Sequence, residues 1–195
     1  MYLDKEIEFI LAIDALKNVD RRNFNLDDSR RENTAEHSWQ IVVFAQILHP
    51  YARHKEKIDL HRVLKMLSIH DVVEIDAGDT FFFDEKGYED KFERELVSAK
   101  RIFGILAEPL QSEFMNLWLE FEEGETDDAV FANAVDRMIP FVLNCHNEGT
   151  SWTEAGVTFE KVQTMLRTKI AEASHHMAET FDVLIQKAFD EGKLL

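Results

Sequence analysis

From Leu60 onward the apolar residues Leu60, Val63, Leu64 and Leu67 return in steps of three and four, the spacing of a helix with one buried face. The next places on that face belong to Asp71 and Glu74. The core-facing stripe therefore turns from aliphatic to acidic without leaving its side of the helix. An ionised carboxylate in an apolar core costs several kcal/mol, comparable with a domain's whole stability margin, unless it meets a cation. Whatever this chain folds into must bring positive charge to that point. The helix is predicted over 60–77, with Gly78 as its stop. A third carboxylate repeats the pattern in a helix predicted over 127–146. There Phe131, Val135, Met138 and Val142 form one stripe, and Ala132, Asp136, Ile139 and Leu143 the next. Pro140 has no N–H to offer the Asp136 carbonyl, which predicts a kink beside that carboxylate.

The rest of the chain also favours helices. Only 7 Gly and 3 Pro punctuate 195 residues, too few turn formers for a many-stranded fold. With no repeat and no linker, the expectation is an all-α, single-domain helical bundle. A first helix is predicted over 3–19, followed by a polar, basic connector over 20–31. Asn33 and Glu36 have the spacing of a capping box and open the next helix. Its segment from Trp39 to Leu48 is apolar on nearly every side, which places it at the bundle centre until Pro50. Helices over 90–106 and 110–123 are separated at Pro109. One long final helix is predicted over 157–189, with the stripe Val162, Leu166, Ile170, Ala173, Met177, Phe181, Leu184 and Ala188. That stripe either closes the bundle or pairs subunits.

A net charge of −16 disfavours nucleic-acid polymers and anionic membranes, whose binding depends on clustered Lys and Arg. No uncharged apolar run is long enough to span a bilayer, and the first residues carry no export pattern. One cysteine, Cys145, makes no internal disulfide and has no evident catalytic base, so it is expected to be buried and inert in a cytoplasmic, reducing setting. A small anionic substrate remains open if a metal or a few arginines reverse the field locally.

His37, in the first turn of the central helix, and His70, next to Asp71, are the side chains that could answer the buried acids. With Asp71 and Asp136 they form a mixed nitrogen and oxygen set suited to one divalent ion, Mn²⁺, Co²⁺, Fe²⁺ or Zn²⁺. Each has an ordinary alternative: a helix-lining histidine, an aspartate paired with arginine, a carboxylate accepting hydrogen bonds from a loop. His49, His54, His61, His146, His175 and His176 belong to no such constellation, and no phosphate-cradling glycine loop occurs.

Three runs carry a wider resemblance: Arg31-Glu32-Asn33-Thr34-Ala35-Glu36-His37-Ser38, then Ile69-His70-Asp71-Val72-Val73-Glu74-Ile75-Asp76-Ala77-Gly78-Asp79, then Ala134-Val135-Asp136-Arg137. In order and spacing, from about Leu16 to Trp152, the chain resembles the HD-domain metal-dependent phosphohydrolases, and within them the short 5′-deoxynucleotidase-like branch. The resemblance implies metal ligands His37, His70, Asp71 and Asp136, with Mg²⁺ added to the candidate ions. It implies Glu74 and Asp79 beside the reacting water, and Arg22 as a phosphate ligand. It also implies a nucleoside 5′-monophosphate as substrate and a homodimer. One departure matters. The branch has an aromatic residue after that arginine, thought to contact the sugar, whereas this chain has Asn23 and then Phe24. Preference for 2′-deoxy sugars is therefore open. Glu122 resembles a position near the nucleotide, and Phe81-Phe82-Phe83 is read as a loop anchored to the core or a subunit contact more readily than a base platform. Two alternatives remain beside the monophosphatase: an HD-type hydrolase of a phosphodiester, nucleoside polyphosphate or other phosphorylated metabolite, and a non-catalytic metal- or nucleotide-binding protein.

Overall fold

A computed structural model describes residues 3–195. Ten α-helices and one β-hairpin are arranged, among these residues, around α7 (Asp127–His146). Helices α2 (Thr34–Leu48), α3 (Leu60–Ile69), α6 (Leu110–Glu123) and α9 (Phe159–Ala173) all pack against α7. α5 (Lys91–Phe103) lies on α6, and α10 (His175–Asp190) packs antiparallel to α9 and against α7. The core holds Ile41, Met66, Leu67, Trp118, Phe131, Phe141 and Phe181, all fully buried. An all-α bundle is what the few glycines and the 3.6-residue periodicities predict.

Four local features differ from the sequence reading. The 20–31 connector is not irregular: β1 (Asp20–Phe24) and β2 (Arg31–Asn33) form an antiparallel hairpin whose turn carries Asp28 at φ 54°. Aspartate is among the few non-glycine residues that enter the left-handed region at modest cost. The 3–19 helix is α1 (Asp4–Ile13) followed by a 3₁₀ turn, Asp14–Asn18. The 60–77 helix also changes its winding. α3 stops at Ile69, a 3₁₀ turn covers His70–Val73, and α4 is the single turn Glu74–Ala77, ended by Gly78 at φ 75°. The predicted final helix is in fact two, since Ser174 ends α9 and caps α10. Its hydroxyl accepts from the Met177 N–H and donates to the Tyr51 carbonyl. Folded back this way, the stripe from Val162 to Ile185 closes the bundle. α8 (Thr150–Ala155) lies beside β1.

α2 is not the fully enclosed helix its composition predicts. Ile41 and Ala45 are buried, whereas Trp39, Val43 and Ile47 stand exposed in one row. α7 is continuous through Pro140 from Asp127 to His146.

Candidate metal centre and cleft

The site is assembled from the hairpin and three helical segments. The capping box forms as expected: Asn33 accepts from the Glu36 N–H at 3.0 Å, and the Glu36 carboxylate accepts from the Asn33 N–H at 3.2 Å. It fixes the entry of α2, whose first turn aims His37 into the interior, where its side chain is fully buried. His70 begins the 3₁₀ turn. In that winding residues three apart eclipse one another, so Asp71 and Glu74 keep a common side although the α-helix has ended. α7 delivers Asp136 from the opposite wall.

One ligand atom each from His37, His70, Asp71 and Asp136 can be chosen so that all four lie within 4.8 Å of one another. His37 Nε2 is 2.8 Å from Asp136 Oδ1 and 3.8 Å from Asp71 Oδ2. His70 Nε2 is 3.0 Å from Asp71 Oδ1 and 3.6 Å from Asp136 Oδ1. The tautomer of His70 is set from behind: its Nδ1 faces the Leu67 carbonyl at 3.0 Å, leaving Nε2 to the cluster. That Nε2 is buried and has no hydrogen-bond partner. On the far side of His37, Nδ1 faces the buried Glu32 Oε2 at 3.6 Å, the carboxylate–histidine arrangement that backs metal-ligating imidazoles. Two imidazole nitrogens and two carboxylates around an unpartnered nitrogen fit a divalent cation.

The buried acids and imidazoles of the cluster act on one another at short range. Burial opposes the charge of His70, yet the adjacent Asp71 and Asp136 carboxylates hold its pKa well above the ordinary range. Burial likewise works to raise Asp136, but the hydrogen bond with His37 and the adjacent His70 imidazole bring it well below the usual carboxylate range. Asp71 is lowered in the same way against its burial, chiefly by His70 and then Arg21. Glu74 behaves oppositely. Burial, then the charges of Asp71 and Asp79, push its carboxyl well above the normal value, although Thr34 Oγ1 donates to it at 2.9 Å.

The hairpin separates the two adjacent arginines. Strand alternation puts Arg21 and Asn23 on the inner face and Arg22 on the outer one. Arg22 is exposed, its guanidinium 5.9 Å from the Phe81 ring centroid, and it does not line the cleft. Arg21 is the arginine at the centre. Its guanidinium lies 3.3 Å from Glu32, 3.5 Å from Asp71 and 3.4 Å from Asp79. Burial disfavours its charge, and Asp79, Asp71, Glu74 and Glu32 together outweigh that and keep it protonated. Recognising 20–24 as a strand would have separated the two adjacent arginines.

His70, Asp71 and Asp136 line a cleft of about 260 Å³, together with Asn23, Glu74, Asp79, the Phe81–Phe83 loop, Tyr88, Lys91 and Glu122, while His37 lies buried behind it. Phe81 is buried, as expected for an anchor, and Phe82 and Phe83 pack edge-to-face with their neighbours along the cleft wall. Arg94 holds the preceding loop by donating to the carbonyls of Ala77 and Gly87. Asn23 is buried, and its Oδ1 accepts from Asn144 Nδ2 at 3.2 Å. Lys91, unremarked in the sequence, sits between Glu95 at 2.8 Å and Glu122 at 3.4 Å. Away from the cleft, Cys145 is buried and its thiol is pushed up to about 12, consistent with an inert cysteine.

A helical bundle whose inner ends present His, His-Asp and Asp to one point defines a class, and comparison agrees. The HD domain profile matches residues 13–178, and the chain belongs to the HD domain family. Among solved structures, that of a predicted metal-dependent phosphohydrolase from Magnetospirillum magnetotacticum is 43% identical, with a TM-score of 0.92 over 98% of this chain and 95% of that one. A conserved hypothetical protein from Pyrococcus furiosus, 18% identical with a TM-score of 0.63 over 93% of this chain and 99% of that one, shares the fold. Among curated proteins, the human 5′-deoxynucleotidase HDDC2 is 26% identical over 132 residues, 67% of this chain and 62% of the human protein. Its Danio rerio counterpart is 25% identical over 145 residues, 74% of this chain and 70% of that protein. The chain thus matches somewhat under two thirds of the human relative's length. Among the described residues no helix is long and apolar enough to cross a membrane.

Proposed function

We propose that this chain is a metal-dependent phosphohydrolase that releases inorganic phosphate from a nucleoside 5′-monophosphate. The observation that carries the reading is the convergence of four ligand atoms within 4.8 Å, two nitrogens and two oxygens, three of whose residues line a cleft that also holds Glu74 and Asp79. A site serving only to stabilise the fold has no use for two further carboxylates beside an open position. A volume near 260 Å³ is at the small end for a small-molecule pocket, which suits a monoester and not a polymer.

His37, His70, Asp71 and Asp136 would hold the ion, one of Mn²⁺, Co²⁺, Mg²⁺, Fe²⁺ or Zn²⁺. When bound, it acidifies a water molecule and offsets charge on the phosphoryl oxygens. The remaining work belongs to the protein. Glu74, fixed by the Thr34 hydroxyl and lifted in basicity by burial beside Asp71 and Asp79, accepts the proton of the attacking water. Arg21 ties Asp79 and Asp71 to one guanidinium and so keeps both oriented toward the cleft. The new bond joins water oxygen to phosphorus. The ester P–O bond breaks, and a proton returns to the departing 5′-oxygen, leaving nucleoside and inorganic phosphate. The proton returned is the one Glu74 took from the water, while Asp79, paired with Arg21, orients that water.

The relatives named as 5′-deoxynucleotidases support the substrate class. Sugar preference is carried by Asn23, which can donate to a hydroxyl. A cytoplasmic enzyme is the matching setting. We also assign a homodimer, with the exposed row Trp39, Val43 and Ile47 on α2 as its contact, because the long C-terminal stripe is used up inside the bundle. A panel of ribo- and deoxynucleoside monophosphates, diphosphates and phosphodiesters, each assayed with Mn²⁺, Co²⁺ and Mg²⁺, tests the reading. Phosphate release from monophosphates is expected. Turnover of diphosphates or diesters alone, or binding without turnover, contradicts it.

A further inference from the structure

The charges lining the cleft leave one cation over. Six carboxylates, Asp71, Glu74, Asp79, Glu95, Glu122 and Asp136, face three cations, Arg21, Lys91 and Arg137. Arg21 is shared among Glu32, Asp71 and Asp79. Lys91 is held by Glu95 and Glu122. Arg137, among the described residues, forms no ion pair. Its guanidinium instead lies over the Phe82 ring, 5.5 Å from the centroid.

Arg137 also acts on a charge of its own sign. Its guanidinium, with burial second, holds the Lys169 ammonium on α9 below the ordinary lysine range against the pull of Glu172. In a chain of net charge −16, carboxylates for neutralising two facing cations are abundant, yet Lys169, like Arg137, makes no ion pair among the described residues. An anion seated at Arg137 relieves that repulsion. Arg137 also follows Asp136 directly on α7 and lines the same cleft, so an anion there lies beside the proposed metal ligands.

We propose that Arg137 receives the phosphoryl oxygens of the substrate through a forked, charge-assisted contact. Arg21 is committed to three carboxylates and Arg22 faces away over Phe81, which leaves Arg137 for this role. The assignment rests on the phosphohydrolase reading, and the tests keep the two apart. Binding of inorganic phosphate to the Mn²⁺-loaded protein is measured by calorimetry, and steady-state kinetics are run on a nucleoside monophosphate, with metal content checked for every variant. In Arg137→Gln the phosphate Kd and the KM both rise at least about tenfold, kcat changes less, and Arg137→Lys recovers part of the loss. Lys169→Glu, an exposed substitution that places an acid against Arg137, weakens phosphate binding by roughly threefold. Phosphate affinity within about twofold of wild type in Arg137→Gln overturns the proposal. If Arg137→Gln loses its metal or fails to fold, an unchanged affinity in Lys169→Glu overturns it instead. Phosphate binding that depends on Arg137 in a protein that hydrolyses no phosphomonoester leaves this assignment standing and removes the enzymatic one.

Discussion

Glu74 shows how much one side chain's surroundings decide. It shares a helical side with Asp71, yet Asp71 is stabilised as an anion by His70 and Arg21, while Glu74 is left to burial and to the charges of Asp71 and Asp79. Glu74→Gln keeps the Thr34 contact and the four ligands. Metal stoichiometry is therefore expected to hold while turnover falls at least about 100-fold, the usual cost of losing a general base. Equal metal loss in this variant would make Glu74 a ligand. Glu95 offers a pH test at a carboxyl that is not itself a candidate metal ligand. Burial lifts its pKa from 4.5 to about 7 against the attraction of Lys91. A raised acid pKa means that the folded chain takes up the proton more readily than the unfolded one. Stability therefore falls as pH rises from about 4.5 to about 7 and levels off above that. Glu95→Gln is expected to gain in Tm relative to wild type on going from pH 5 to pH 8. An identical difference at both pH values would show that burial does not control this group. At this scale the convergence of Asp71 and Asp136 was legible because a carboxylate in an apolar stripe is costly enough to demand a reason. Arg21 was not, since nothing in two adjacent arginines tells which one faces inward until the strand is known.

Among the elements, legibility followed the local signals. The capping box at Asn33 and Glu36 marked the start of α2, and Gly78 marked the end of α4, because each is a backbone requirement met by particular residue types. The break between α9 and α10 was hidden for a physical reason. Ile170, Ala173 and Met177 continue the three-and-four spacing straight across Ser174, so both helices bury the same register of apolar residues. Ser174 signals itself only through its cap. Ser174→Ala removes both the cap to Met177 and the bond to Tyr51, and is expected to cost about 1–2 kcal/mol in denaturant unfolding. A loss under a few tenths would mean that the helix break does not depend on this hydroxyl. The 3₁₀ turn at His70–Val73 was equally silent, although it leaves the acidic side in place because eclipsed i and i+3 positions mimic a helical face.

For the molecule as a whole, composition and periodicity were enough to disfavour a many-stranded fold and spanning helices, but not to say which apolar faces stay uncovered. Trp39, Val43 and Ile47 read as core and lie on the surface. If that row is the dimer contact, Trp39→Glu is expected to halve the mass seen by light scattering while leaving the far-UV circular dichroism unchanged. A wild-type monomer would contradict the assignment. Everything said about catalysis depends on one ion joining α2, the His70 turn and α7. The direct measurement is metal content and Mn²⁺ titration of the purified chain beside Asp136→Asn. The wild type is expected to bind one ion per chain, and the variant to lose that binding and with it the thermal stabilisation that the ion confers. A wild type that binds no stoichiometric ion, or a variant that binds it as tightly, would contradict the account.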